Sequence, residues 1–432
     1  MLTPELKIYE LSLIWKEAAY NFAFWESLSL TLDWDKAYRE ALPAVLATQN
    51  LYEYYRELQK FIALLRDGHT GIHLPQELYE SPEYASKLPI RIAYTNGRFV
   101  ISNVKRVAGE AVKRWSVLHK IDGIQIQDYL TKNVFPYIWH EKLDSAQHDI
   151  NEMLSIGALG STVALECEYE GKLYTAHLTR AKGDTDWLYS DTVHPVEELE
   201  CLHRSHSHAI ALTQDNLAII TVDTMMDNHL PDEFYANYPL LEKARGYIID
   251  IRQNGGGDSN NSDAVVAAFI EGEFINQRAL HPVHNGTHKA WDIPQKSEEH
   301  ISYGYRGDNP NPTLTAPLVV LTTAQTGSAA EDLLITLEHA KRATFVGTPS
   351  CGTTGQPLRI DLESGGSLFI CTRHNTHIDG REFINIGVQP HVFFEPSIED
   401  LISGRDTHMA KGLSVLRENV HRKDESNIQV SP

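Results

Sequence analysis

The sequence predicts a chain of three parts: a helical N-terminal domain, a small β domain, and an α/β domain with a mainly parallel sheet. Three observations carry this expectation. Apolar residues recur at three- and four-residue steps as far as about residue 67, and short strands and turns fill about 88 to 180. From about 193 to 396, continuous apolar strands alternate with amphipathic helices. At 432 residues the chain exceeds one average domain. The boundaries fall at 1–86, 87–183 and 184–403, with a polar, loosely docked tail over 404–432.

The helical part is read from Leu11, Ile14, Trp15, Ala18 and Phe22 on one face, and from Leu51, Tyr54, Tyr55, Leu58, Phe61, Ile62 and Leu65 on another. Asp33 supplies a helix start between them and Pro43 an interruption. The segment RDGHTGIHLP closes this part. In the β part, IRIAY, RFVISNV, TVALECEY and LYTAHLT read as strands, and TNG, EGK and AKGD as turns. VKRWSVLHKIDGIQIQDYL reads as a hairpin followed by a short helix. In the α/β part the strands are LAIITVDTM, GYIIDIRQ, PLVVLTT and TFVGT. The helices are PDEFYANYPLLEKAR, SDAVVAAFIEG and AAEDLLITLEHAKR.

A formal charge of -20 repels phosphate backbones and anionic lipid, so nucleic acid and membrane surfaces are poor partners. The longest apolar runs, 217–222 and 264–270, fall far short of the ~20 residues of a membrane span. Glu5, Lys7, Glu10 and Lys16 interrupt the N-terminus where a secretory signal needs an apolar centre. The expected location is the cytoplasm, or outside it with an export signal absent from this sequence. Cys167, Cys201, Cys351 and Cys371 form no C-x-x-C pair and read as buried thiols.

Three local patterns bear on chemistry. In LVVLTTAQTGSAAEDLL a buried strand ends at Thr323 and Ser328 stands where a helix begins. A serine there presents its hydroxyl at the carboxyl edge of the sheet, and the first helical amides, starting with Ala329, face any anionic oxygen beside it. The same residue also reads as a plain N-cap, with Glu331 completing a capping box. In GYIIDIRQNGGGDS, Gly255, Gly256 and Gly257 let backbone amides approach a substrate, or simply form a turn. The Walker lysine and G-x-G-x-x-G are both missing, against a nucleotide site. In LRDGHTGIH, His69 lies in a turn, where an imidazole serves as a base near neutral pH or is an ordinary surface residue.

Together these pieces resemble the C-terminal processing (tail-specific) and tricorn-core serine peptidases. DIRQNGGG resembles that family's D-[LVI]-R-x-N-x-G-G signature, TGSAAEDLL its T-x-S-A-A-E nucleophile segment, and FVGTPSCGTTGQP its G-x-x-T-x-G loop. LRDGHT resembles the L-x-D-x-H-T element of the tricorn-like branch, and GVQPHV its G-V-x-P-D-V ending. The five elements stand in the family's order across residues 65 to 392. In the tail-specific branch a lysine in the G-x-x-T-F-G-K loop is the base. Here Thr353 takes that place, and no lysine occurs between Lys341 and Lys411. The resemblance therefore implies the histidine-base, tricorn-like branch, to which retinoid-binding relatives also belong.

By resemblance, Ser328 is the nucleophile, His69 the base, and the amides of Ala329 and of Gly256 or Gly257 the oxyanion donors. Glu382 is the nearest glutamate before the G-V-x-P element, where the branch keeps a third catalytic group. The branch's second serine beside the histidine is missing, since Gly68 and Thr70 flank His69, so Thr70 is the candidate orienter. Asp250 and Arg252 are expected to shape the glycine loop. The small β domain resembles PDZ-like domains, which hold peptides by strand addition. The implied activity is peptide-bond hydrolysis through an acyl-enzyme on a peptide or unfolded polypeptide, without metal or cofactor, and a homo-oligomer stays open. The alternative is a non-catalytic binder of hydrophobic ligands or peptides on the same fold. A metal-dependent hydrolase built on the histidine-rich stretches CLHRSHSH and HPVHNGTH is the other rival, although such runs are more often solvated loops.

Overall fold

The strands Gly246–Asp250 and Leu318–Thr322 are buried at every position and run parallel, with Ile249 beside Val320. They lie at the middle of a seven-stranded mixed sheet. Its order is Leu199–Arg204, His208–Thr213, Leu217–Val222, Gly246–Asp250, Leu318–Thr322, Thr344–Gly347 and Val392–Phe393. The first two pairings are antiparallel and the rest parallel. Burial on both faces is why these segments read as unbroken apolar runs.

On one face, Ile248, Val319, Leu321 and Val346 pack with Met409, Leu413, Leu416 and Val420 of the C-terminal helix Thr407–Val430. This corrects the expectation of a loosely docked tail. The helix carries its apolar residues at three- and four-residue steps among charged ones, and that stripe seats on the sheet. Ile249, Val320 and Phe345, one residue along each strand, are buried on the opposite face. The helices Ser259–Val266 and Ala329–His339 pack against each other. The helix expected over 231–245 is shorter, Leu230–Ala236, followed by a 3-10 turn at Tyr238–Leu240. Pro239 lacks an N–H and disfavours the α conformation at Tyr238, which ends the α-helix early.

This computed structural model describes all residues except 1, 29–30, 82–85, 140–141, 183–185, 190–193, 294–295, 306–310 and 431–432. The sheet belongs to a unit formed by Thr192–Ala279, Glu299–Thr354 and Asn375–Pro432. The other unit comprises Met1–Asp191, Leu280–Glu298 and Gly355–His374.

In that other unit the N-terminal helices are Pro4–Asn21, Trp25–Leu28, Trp34–Ala47 and Leu51–Ala63. Thr3, Asp33 and Asn50 cap three of them through side-chain oxygens. Pro43 does not interrupt its helix, as the sequence suggested, but lies inside Trp34–Ala47. Burial of Trp34, Ala37 and Val45 outweighs the ~3 kcal/mol an interior proline costs. An antiparallel sheet of Ile90–Thr95, Arg98–Val104, Val117–Ile121, Thr162–Tyr169 and Lys172–Thr179 follows, with the short Ile124–Gln125 paired to Val117–Ile121. Its hairpins turn at Asn96-Gly97, Asp122-Gly123 and Glu170-Gly171, each pair with positive φ at both residues.

All four cysteines are free. Cys167 and Cys371 are buried, but Cys351 is half-buried and Cys201 exposed, which corrects the expectation of four buried thiols. Cys201 sits on the edge strand of the seven-stranded sheet, where one flank pairs with no strand among the described residues. No helix among the described residues is long and apolar enough to cross a membrane.

Candidate active site

Ser328 joins the loop after Leu318–Thr322 to the helix Ala329–His339. Its backbone has φ 53° and ψ -123°, a conformation that residues with a Cβ adopt only when their surroundings compel it. The compulsion is visible. The Thr326 hydroxyl donates to Ile251 O at 2.9 Å and accepts the Thr323 N–H at 3.1 Å, which tightens the loop. The Ser328 N–H donates to Thr353 O at 2.9 Å and to Glu331 Oε2 at 3.2 Å. Between 326 and 337 every residue is buried except Ser328. The N-cap position and the presentation of a hydroxyl are therefore not rivals here.

The glycine loop lies directly against this turn. Asn254 is fully buried; its Nδ2 donates to Val222 O at 3.0 Å and its carbonyl accepts the Gly327 N–H at 3.1 Å. A Cβ placed on Gly256, at φ +104°, would meet Ser328 Cβ at 2.6 Å and Ala329 N at 3.0 Å. A Cβ on Gly257, at φ +144°, would strike the Met225 backbone at 2.3 Å. Both positions thus require glycine for close approach as well as for φ. The Gly256 N–H is taken by Asn254 Oδ1 at 2.8 Å. The Gly257 and Ala329 N–H groups have no acceptor among the described residues.

Glu331 ties the following loop to the same helix. It is fully buried, and its carboxylate accepts the Ser350 hydroxyl, the Gly352 N–H at 2.7 Å and the Thr353 N–H at 2.9 Å besides the Ser328 N–H. Four donors offset the desolvation of a buried carboxylate. The segment carrying GVQP is stitched on in turn: the Val388 N–H donates to Ser350 Oγ at 2.7 Å, and the Asn385 N–H to Gly352 O at 2.6 Å. Glu382 stands in this segment as an exposed residue beside the fully buried Phe383.

Beneath the glycine loop, Arg252 forks two carboxylates. It donates to Asp250 at 2.8 and 2.7 Å and to Asp406 at 2.7 and 2.8 Å. Burial pushes the Asp406 carboxyl up, but the Arg252 hydrogen bonds and charge outweigh it and hold it below the ordinary range. This pairing fixes the loop to the start of the C-terminal helix, the shaping role expected for Asp250 and Arg252.

His69 and Thr70 lie together in the other unit, between the helix Leu51–Ala63 and the strand Gly71–His73. Asp67 organises their turn: its carboxylate accepts the His69 N–H at 3.2 Å and the Thr70 hydroxyl at 2.6 Å. The Thr70 oxygen also accepts the Cys371 N–H at 3.0 Å. Burial pushes the Asp67 carboxyl up from its usual value, opposed by His69 and these hydrogen bonds. The Thr70 hydroxyl proton is therefore committed to Asp67, and Thr70 anchors the turn. His69 and His73 share no helix face, since His73 ends a strand.

Sequence reasoning passed over Asn254, Asp67 and Asp406. The first two were signalled by the asparagine and aspartate of the quoted signatures; Asp406 carried no local signal. The space beside Gly256 is closed by Ser328 and Ala329, and that beside Gly257 by the Met225 backbone. A serine hydroxyl at the start of a helix, next to an amide hydrogen without an acceptor, can attack a carbonyl carbon and have the resulting oxyanion held there.

Residues 216–393 match the family model described as Peptidase family S41. A carboxy-terminal-processing protease of Bartonella bacilliformis (strain ATCC 35685 / KC583 / Herrer 020/F12,63) is 27% identical over 188 residues, covering 43% of this chain. The aligned stretch is 39% of that curated relative's length. Among solved structures, mature CPAF complexed with lactacystin superposes with a TM-score of 0.76 at 15% identity, covering 97% of this chain and 99% of that one. The photosystem II D1 C-terminal processing protease gives 0.51 at 18% identity, covering 94% and 99%. At these identities the structural likeness is one of fold.

Proposed function

We propose that the chain, whose residues 216–393 match the peptidase family S41 model, is a serine peptidase acting through Ser328. His69 takes the Ser328 hydroxyl proton while Oγ attacks the carbonyl carbon of a peptide bond. The Gly257 and Ala329 amides hold the oxyanion, each worth roughly 3 kcal/mol of barrier. His69 then gives its proton to the departing amine, and water repeats the sequence to release the acyl group. Gly256 serves this hole by its shape, because its own N–H is occupied. Asp67 and Thr70 set the His69 turn, and Glu382 is the carboxylate assigned to orient the imidazole.

One observation carries the reading most strongly: Gly256 backs onto Ser328 so closely that no side chain fits between them. A simple helix cap has no need of that approach, whereas an oxyanion hole does. The substrate is a peptide or unfolded polypeptide. Residues 1–86 act as a helical domain carrying the histidine, 87–183 as a PDZ-like module that adds a peptide strand, and the α/β domain over 184–403 as the catalytic part. The short helix Ile126–Asn133 after the hairpin at Asp122-Gly123 supports the PDZ-like comparison.

A fluorophosphonate probe, read beside cleavage of a fluorogenic polypeptide, tests the proposal. Wild-type protein is expected to label and cleave, and Ser328→Ala to do neither. A wild type that binds peptide but neither labels nor cleaves supports the non-catalytic binder instead.

A further inference from the structure

Away from Ser328, three side chains converge at the edge of the seven-stranded sheet. His203 lies on the edge strand Leu199–Arg204, His208 opens the next strand, and Glu233 stands on the helix Leu230–Ala236. One ligand atom from each falls within 4.8 Å of the other two, and no other such group of three occurs among the described residues. A register shift between Cys201 and His203 brings His203 alongside its partner. The two imidazole centroids are 4.7 Å apart.

The polar atoms at this place lack hydrogen bonds, although Glu233 Oε2 lies 3.8 Å from His208 Nδ1. His203 Nε2, His208 Nε2 and Glu233 Oε2 are all buried, and none has a hydrogen-bond partner among the described residues. His208 is 0% exposed, and Ser205 Oγ at 3.1 Å engages its Nδ1, which fixes the ring and leaves Nε2 for another partner. A buried polar group without a partner costs about 1–3 kcal/mol, and three at one point ask for a common one.

We propose that His203, His208 and Glu233 bind one divalent transition ion of the zinc class, stapling the edge hairpin to the helix Leu230–Ala236. Two imidazoles and a carboxylate are a zinc donor set, whereas calcium and magnesium take all-oxygen sites. Zinc–ligand distances near 2.0–2.2 Å place tetrahedral ligand atoms about 3.3 Å apart, so separations of up to 4.8 Å close by at most about 1.5 Å on binding. A water molecule completes the fourth position. The benefit is structural: among the described residues the edge strand Leu199–Arg204 pairs on one flank only, and the ion anchors it to the helix Leu230–Ala236.

The test uses the full chain, stripped with chelator, dialysed and titrated with Zn²⁺ by calorimetry and thermal melting. One equivalent bound and a raised melting temperature are expected for wild type. His203→Gln and Glu233→Gln should each weaken binding beyond the roughly 10- to 100-fold that loss of an outer partner costs, and abolish the thermal gain. The metal-free variants should melt with the metal-free wild type. Co²⁺ bound to wild type should show tetrahedral absorption without a thiolate band, which needs no variant to fold. No stoichiometric binding, a thiolate band from Cys201, or unchanged affinity in either variant overturns the assignment.

Discussion

A side-chain carbon on Gly256 would lie 2.6 Å from Cβ of Ser328, closer than any real Cβ contact. The Gly327 carbonyl, 2.7 Å away, closes the remaining space. Gly256→Ala must therefore push the glycine loop off the nucleophile turn, and the positive φ adds strain. A displacement near 1 Å costs about 100-fold in rate where geometry is tight. We expect kcat to fall by at least about that factor, with the far-ultraviolet circular dichroism unchanged. A variant that cleaves at the wild-type rate would remove the close-approach argument.

Glu331→Gln leaves one acceptor oxygen where the structure uses two. Its amide would face either the Ser350 and Gly352 donors or the Thr353 and Ser328 donors. Hydrogen bonds to a buried charge are worth about 1.5–3 kcal/mol each, so a loss of roughly 3 kcal/mol or more in unfolding free energy is expected. Urea midpoints measure it. Labelling at Ser328 should slow in parallel, because the same carboxylate sets the turn.

Arg252→Lys keeps the charge but not the two forks. An ammonium cannot serve Asp250 and Asp406 at four oxygens, so one carboxylate is left poorly matched in a nearly buried place. A cost of about 3 kcal/mol is expected from thermal or urea unfolding, with Asp406→Asn falling in the same range. Wild-type stability in Arg252→Lys would show that the forks are ornamental.

Acid should weaken the sheet unit in a defined window. Burial, and then the Arg252 charge, lower the His408 pKa to about 4. The unfolded imidazole titrates near 6.5, so between about 6.5 and 4 the unfolded chain binds the extra proton and stability falls as pH falls. Asp406, held below its ordinary value, adds a loss of the same sign at lower pH. Unfolding free energies at pH 7.5 and 5 should differ less in His408→Gln than in wild type. An equal drop in both would assign the acid loss to other groups.

The legible parts of this chain were those where one local segment carries the whole signal. The strand–loop–helix around Ser328 and the glycine run after Gly246–Asp250 are of that kind, because burial pattern and backbone freedom are written in consecutive residues. Partnerships across the chain were not legible. Nothing near Arg252 points to Asp406, and nothing near Glu331 says that its carboxylate will collect donors from residues 350 to 353. His203, His208 and Glu233 are brought together by a hairpin and a helix that must first fold. The C-terminal helix was missed for another reason: its stripe of Met409, Leu413, Leu416 and Val420 was present but diluted by charge. Pro43 misled because burial around it outweighs the local rule.

Activation of Ser328 by His69 is read in the rate at which a fluorophosphonate captures the serine. Intact mass spectrometry should find one adduct per wild-type chain, located on Ser328. In His69→Ala the same adduct should form about 100- to 10,000-fold more slowly, as loss of a general base requires. An undiminished rate in His69→Ala, or an adduct elsewhere than Ser328, would contradict the account.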